Sequence, residues 1–166
     1  MKTKILYPAF VIVIASTIIY YFLGGFNPVK FQIEKESITI YGQLFEGEYD
    51  DPELEQYFLK AKELADKNKD NKLIIVDYFI DSKDSVKQFV GITSRDSIAL
   101  PVLDFSDVTF IKGIITSHHY VRPHPLTVRD LAQDYGTNHA LNIEDISIEF
   151  YDPKEEIEVW FPARTN

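Results

Sequence analysis

The chain has 166 residues, 45% of them hydrophobic, with no cysteine and a formal net charge of −9. That length supports one domain and an additional segment. The missing cysteines exclude disulfides and thiolate chemistry, and the acidic balance argues against nucleic acid and against docking on anionic headgroups.

After a short tail, 1–4, the stretch Ile5 to Leu23 (ILYPAFVIVIASTIIYYFL) carries no charge. As a helix it would rise roughly 28 Å at about 1.5 Å per residue, close to a bilayer's hydrocarbon thickness. Pro8 falls in the first turn, where a missing amide donor costs little. Tyr20, Tyr21 and Phe22 sit where an interfacial aromatic belt is expected. A cleaved signal would need a small-x-small exit, and YYFLGG has none. A core helix would not be apolar on every face, and Gly24-Gly25 separates the segment from the rest of the chain. The expectation is a transmembrane helix over 5–23 and a linker over 24–30. Lys2 and Lys4 precede the span, whereas Lys30 and Lys35 after it are matched by Glu34 and Glu36. This bias favours a single-pass protein with a cytoplasmic N-terminus and an exported (periplasmic or extracytoplasmic) C-terminal domain.

The domain proper is expected over 31–166. FQIEKES is a lead-in, and ITIYGQLF alternates as a half-buried strand does. Asp50 and Asp51 then offer an N-cap, and Pro52 takes the first helical position. Leu54, Tyr57, Phe58, Ala61, Leu64 and Ala65 recur at helical spacing and define the inner face. LIIVDYFI reads as a central strand, joined through DSKDS to KQFVGITS as a hairpin. The connection 95–107 contains IALPVLDF, apolar enough to pack. TFIKGIITSHHY is the next strand. A second helix starts at Pro125, has Val128, Leu131, Ala132 and Tyr135 inside, and stops at Gly136. IEFY and IEVWFP close the chain as a hairpin around DPKEE. The order strand, helix, strand, strand therefore occurs twice, over about 38–94 and about 109–163. The fold class expected is α+β: duplicated βαββ units with antiparallel sheets and two helices, behind one transmembrane helix. One unit cannot cover its own apolar sheet face, whereas two can, and their seam is a natural groove.

The segments IYGQLFEGEY, VDYFID, KQFVGI and DISIEFYDPKEEIEVWFPAR, in this order, resemble the GyrI-like domain of the SOUL or bacterial effector-binding superfamily. The closing segment carries most of the resemblance: Glu149 in a strand, Tyr151, the turn Asp152-Pro153, and Trp160-Phe161-Pro162. It extends over roughly Phe31 to Arg164. It implies a pseudo-symmetric βαββ pair whose central groove binds small hydrophobic, often cationic molecules. Such domains occur fused to AraC- and MerR-class regulators and also alone. Some stand-alone members hydrolyse cyclopropanoid electrophiles, and a eukaryotic membrane-anchored relative is an autophagy receptor. No helix-turn-helix accompanies the domain here, so the regulator role is not implied.

The resemblance makes Glu149 the groove carboxylate. In an aromatic-lined cleft such a group attracts a cation, or has its pKa raised enough for acid–base work. Tyr151 and Trp160 are the first candidates for the groove wall, with Tyr41, Phe45 and Tyr78 behind them, although for each aromatic alone a core position is the simpler reading. Asp77, inside an apolar run, needs a partner, a bulge or the groove. His118, His119, His124 and His139 do not make a metal site: adjacent strand residues point to opposite faces, and neither HExxH nor a cysteine ligand accompanies them. No cofactor is expected, since no phosphate-cradling glycine loop, dinucleotide fingerprint or GxSxG is present. The expected partners are a hydrophobic or cationic small molecule and the membrane through Ile5 to Leu23. Two other readings stay open: a hydrolase of reactive electrophiles using Glu149, and a membrane-tethered adaptor for a protein partner.

Overall fold

The computed structural model describes residues 3–26, 29–80, 85–94, 98–151 and 157–165, without the side chains of residues 3–9 and 119. The hairpin turns expected at DSKDS and DPKEE fall largely (81–84) and wholly (152–156) outside the described residues.

Helix α1 (Thr3–Phe22) comes first. It ends at Gly24, which has a φ of +79°, and the His118 amide donates to Leu23 O at 3.0 Å. Its side chains from Phe10 to Phe22 are largely exposed. Among the described residues, no helix is long and apolar enough to cross a membrane. From Phe10 to Phe22, α1 rises only roughly 20 Å at about 1.5 Å per residue, against about 30 Å of hydrocarbon. The expected transmembrane helix over Ile5 to Leu23 is therefore not supported, and the single-pass, exported localisation is overturned.

The remainder is a mixed α+β fold built on one antiparallel sheet. Its elements are β1 (Val29–Glu48), α2 (Pro52–Asp66), β2 (Leu73–Tyr78), β3 (Ser85–Thr93), β4 (Val102–Ile115), a 3₁₀ turn (His119–Val121), α3 (Pro125–Thr137), β5 (Leu141–Ile143), β6 (Ile146–Tyr151) and β7 (Ile157–Thr165). The seven strands run β4-β1-β3-β2-β6-β7-β5, and β4 also pairs with β7. Six of them thus close on themselves, with β5 added alongside β7. Exchanging β1 with β4, β3 with β7 and β2 with β6 leaves the pairing scheme of the ring unchanged.

The lead-in and first strand are one long strand, because β1 serves two neighbours. Val29–Tyr41 pairs with β4 and Ile40–Glu48 with β3. The register of β1 on β4 slips between Glu36 and Ile38. There Asp107 adopts a φ of +58°, while its amide donates to Ser37 Oγ at 2.9 Å. The apolar end of the expected connection, from Val102, is the start of β4. At the paired glycines Gly42 and Gly91 the strands approach closely: a Cβ on Gly91 would lie 2.4 Å from Tyr41 O.

Alternation along the strands separates two faces. The inward face holds Ile40, Ile74, Val76, Phe89, Phe110, Ile148, Phe150 and Trp160. Lys112 is buried on that side; its ammonium contacts Glu34 at 2.6 Å and Glu36 at 3.0 Å and lies 3.9 Å from the centre of the Trp160 ring. Burial pulls its pKa down, but the hydrogen bonds to Glu34 and Glu36 outweigh that and hold it above the usual lysine value. The outward face carries the helices. Helix α2 is capped by Asp51, which accepts from the Glu53 amide at 2.8 Å, and its expected inner residues cover Leu73, Val90 and Ile92. Helix α3 lays Val128 and Ala132 on Ile111, Val159 and Phe161. Two expectations for α3 change. Leu131 is exposed, and Gly136 does not stop the helix. Gly136 is buried inside it, where a Cβ would meet Ile111 Cδ1 at 2.8 Å and Leu141 O at 3.0 Å.

Candidate functional site

Between α2 and α3 the outward face of the sheet is uncovered and forms a groove. Its floor follows from register. On β6, Ser147, Glu149 and Tyr151 share that face, because alternate residues of a strand point the same way. On β2 their partners are Asp77, Ile75 and Leu73. On β7, Val159 stands opposite Glu149 and Ile157 opposite Tyr151. On β3, Gln88 stands opposite Asp77. Asp77 and Glu149 are therefore diagonal neighbours across one ladder, a relation that places Cα atoms roughly 7–8 Å apart.

Tyr151 divides the groove. On the α2 side lies a cavity of about 410 Å³ lined by Tyr49, Asp50, Asp51, Leu54, Glu55, Phe58, Ile75, Gln88 and Tyr151. On the α3 side lies one of about 240 Å³, lined by Arg122, Pro123, Pro125, Val128, Ser147, Glu149 and Tyr151 with Ile115, Ile157, Val159 and Phe161. The Tyr151 ring meets Phe58 of α2 edge-on at 6.3 Å and is itself 36% exposed.

The electrostatics follow from burial. Glu149 is half-buried among apolar side chains, which penalises its charged form; the nearby charge of Asp77 adds to this. The Tyr151 hydroxyl, donating to Glu149 Oε2 at 3.1 Å, and the Arg122 charge oppose the shift. The balance pushes the Glu149 pKa up from 4.5 to about 7. Asp77 is also raised by burial, less so because Gln88 Nε2 donates to its Oδ1. The Tyr151 phenol is pushed up by burial and then by the Glu149 charge, so it remains a donor at neutral pH. The arrangement is a carboxyl pair with one shared face, a poised proton and aromatic walls. It can hold a cation, or accept and return a proton.

The structure brings together only part of the set singled out from the sequence. Glu149, Tyr151 and Asp77 meet in the groove. Phe45 is on the same sheet face but buried against Tyr57 of α2, their rings 6.3 Å apart. Tyr41 lines a separate crevice of about 10 Å³ under α2, too small for a ligand. Trp160 and Tyr78 lie on the opposite, inward face. Odd-numbered residues of β7 and β2 face the groove, so Trp160 and Tyr78 cannot. Trp160 instead packs between Phe110 and Phe150 at 5.1 and 4.5 Å and donates its indole N–H to Glu158 at 2.7 Å.

Arg122, Ser147, Gln88 and Phe58 were not singled out from the sequence as site residues. Arg122 lies in SHHYVRPHP, which read as a polar loop; an arginine locked between prolines just before a helix was the available signal. Two histidines of that stretch have local structural roles. His118 Nδ1 accepts from the Tyr120 amide, and His124 caps α3 by accepting from the Leu126 amide at 3.3 Å.

Neither a family model nor a curated protein matches the sequence. Solved structures do. EcmrR in its DNA complex aligns with a TM-score of 0.58 at 8% identity, over 99% of this chain and 70% of that one. The EcmrR C-terminal domain alone gives 0.57 at 8% identity, over 83% of this chain and 99% of the domain. An integron cassette protein of Vibrio cholerae gives 0.52 at 12% identity, over 83% and 97%. The chain therefore has the effector-binding type of fold. At such low identity the likeness is one of fold alone.

Proposed function

We propose that this chain is a GyrI-like domain of two βαββ copies whose groove binds a hydrophobic small molecule carrying positive charge. The observation that carries this reading is Glu149: a carboxyl with pKa near 7, half-buried in an open groove, hydrogen-bonded by Tyr151 and facing Asp77. Leaving such a group in an apolar floor costs stability, and a cation over the groove would repay that cost by compensating the charge. Tyr151 and Phe58 supply ring faces for the apolar body.

Thermal unfolding of the full chain with tetraphenylphosphonium tests it, run beside Glu149→Gln. A ligand at about a hundred times its Kd stabilises by roughly 2.7 kcal/mol. For a chain of this size that raises Tm by about 5–10 °C. The shift should shrink in Glu149→Gln. An equal shift in both proteins would remove Glu149 from the reading.

The poised carboxyl also fits a second role, hydrolysis of a strained electrophile with Glu149 activating water. Turnover of such a compound, lost in Glu149→Gln, would move the reading from binding to catalysis.

A further inference from the structure

The two halves of the groove differ in charge. The α2-side cavity is lined by Asp50, Asp51 and Glu55. The α3-side cavity has a guanidinium, Arg122, and a carboxyl, Glu149, in one apolar chamber of about 240 Å³. Arg122 Nε is buried and has no hydrogen-bond partner among the described residues. A buried donor left unmade costs free energy comparable to a lost hydrogen bond, and more when charged. The sequence also holds this side chain in place. Arg122 follows the 3₁₀ turn in extended backbone, at φ −63° and ψ 132°, and precedes Pro123 and Pro125, whose rings fix the approach to α3. The guanidinium is thus presented from a stiff segment with a free fork, the geometry suited to a carboxylate. Its charge is felt at Glu149, so the chamber holds one positive and one negative pole.

We propose that Arg122 is a specificity residue that takes an anionic oxygen of the ligand, so that the α3-side cavity selects a small hydrophobic zwitterion, its cationic group at Glu149 and its carboxylate at Arg122, over a simple lipophilic cation. This rests on the groove reading above and narrows it. A monocation would meet Arg122 as a like charge and leave its Nε unpartnered; a zwitterion satisfies both poles at once. The apolar walls, Val128, Val159 and Phe161 among them, cover the body between the two charges.

A matched pair of probes tests this on the full chain by isothermal titration calorimetry: N-benzyl-N,N-dimethylglycine, a zwitterion, and benzyltrimethylammonium, which lacks only the carboxylate group. The parent should bind the zwitterion at least about tenfold tighter, the range of one charge-assisted hydrogen-bonded pair. Arg122→Gln should bring the ratio to about one without weakening the monocation. Arg122→Lys, which keeps charge but not the fork, should fall between. Glu149→Gln should weaken both probes. If the monocation binds through Glu149 but the zwitterion is not preferred, or if the preference survives in Arg122→Gln, the role of Arg122 is overturned while the groove reading stands. If neither probe binds, or Glu149→Gln changes neither, the groove reading falls and this inference with it. Unchanged unfolding of Arg122→Gln separates loss of recognition from loss of fold.

Discussion

Glu149→Gln should make the protein more stable at alkaline pH, an unusual direction for a substitution at a binding residue. The folded carboxyl keeps its proton up to about pH 7, whereas the unfolded one releases it near its ordinary value of 4.5. Between those values the folded state binds more protons than the unfolded state. Stability from this group is therefore fully present below pH 4.5 and is lost as pH rises to 7. At about 1.36 kcal/mol per unit, the loss is roughly 3 kcal/mol. Glutamine imitates the neutral carboxyl, still accepts from Tyr151 and cannot ionise. The variant should match the parent at pH 4 and exceed it by up to roughly 3 kcal/mol at pH 8, about 6–12 °C in Tm. Urea unfolding across pH 4 to 8.5, followed by the fluorescence of the single tryptophan, Trp160, measures both curves. Part of the shift comes from the Asp77 charge, so Asp77→Asn should lower the upper end of the window. Parent and Glu149→Gln curves that stay parallel from pH 4 to 8.5 would refute the argument, because they would mean that Glu149 titrates alike in both states.

Three further outcomes rest on the same kinds of contact. Tyr151→Phe removes the hydrogen bond that opposes the shift, so the Glu149 midpoint should rise further above 7, measurable by carbon-13 NMR of the carboxyl. Lys112→Met should cost about 2–3 kcal/mol at pH 7, because Glu34 and Glu36 are left facing each other without their cation; protonating those carboxyls at pH 4 should recover part of the loss in urea titrations. Gly91→Ala should destabilise by about 3 kcal/mol, since its Cβ would stand 2.4 Å from the Tyr41 carbonyl, a backbone atom with no room to yield. A normal urea midpoint for Gly91→Ala would show that β1 and β3 can separate at that point.

Local pattern accounts for much of what was readable in advance. Asp51 and Pro52 begin α2 because a carboxylate oxygen and a missing amide suit a helix start, and the neighbouring chain decides both. The apolar stripe of α2 and the alternation around Glu149 are equally local, as is the shared face of Ser147, Glu149 and Tyr151. Other features needed partners distant in sequence. Gly136 looked like a helix stop, but what matters there is the close approach of Ile111 and Leu141, which sequence spacing does not reveal. β1 reads as two pieces, and only its two neighbours make it one strand.

The sequence by itself determined that Glu149 and Tyr151 stand on one side of a strand, because side-chain alternation is a property of the backbone. It also determined the two amphipathic helices, whose spacing must bury one stripe. Only the tertiary structure decided which aromatics join Glu149. Trp160 pairs with Ile148 on β6, one residue out of phase with Glu149, and so turns into the closed sheet while Val159 faces the groove. Register between strands is set by the packing of the whole ring, and a shift of one residue exchanges wall for core. The same is true of Arg122: its loop is legible, but its buried, unpartnered nitrogen exists only once α3 is docked over β6 and β7.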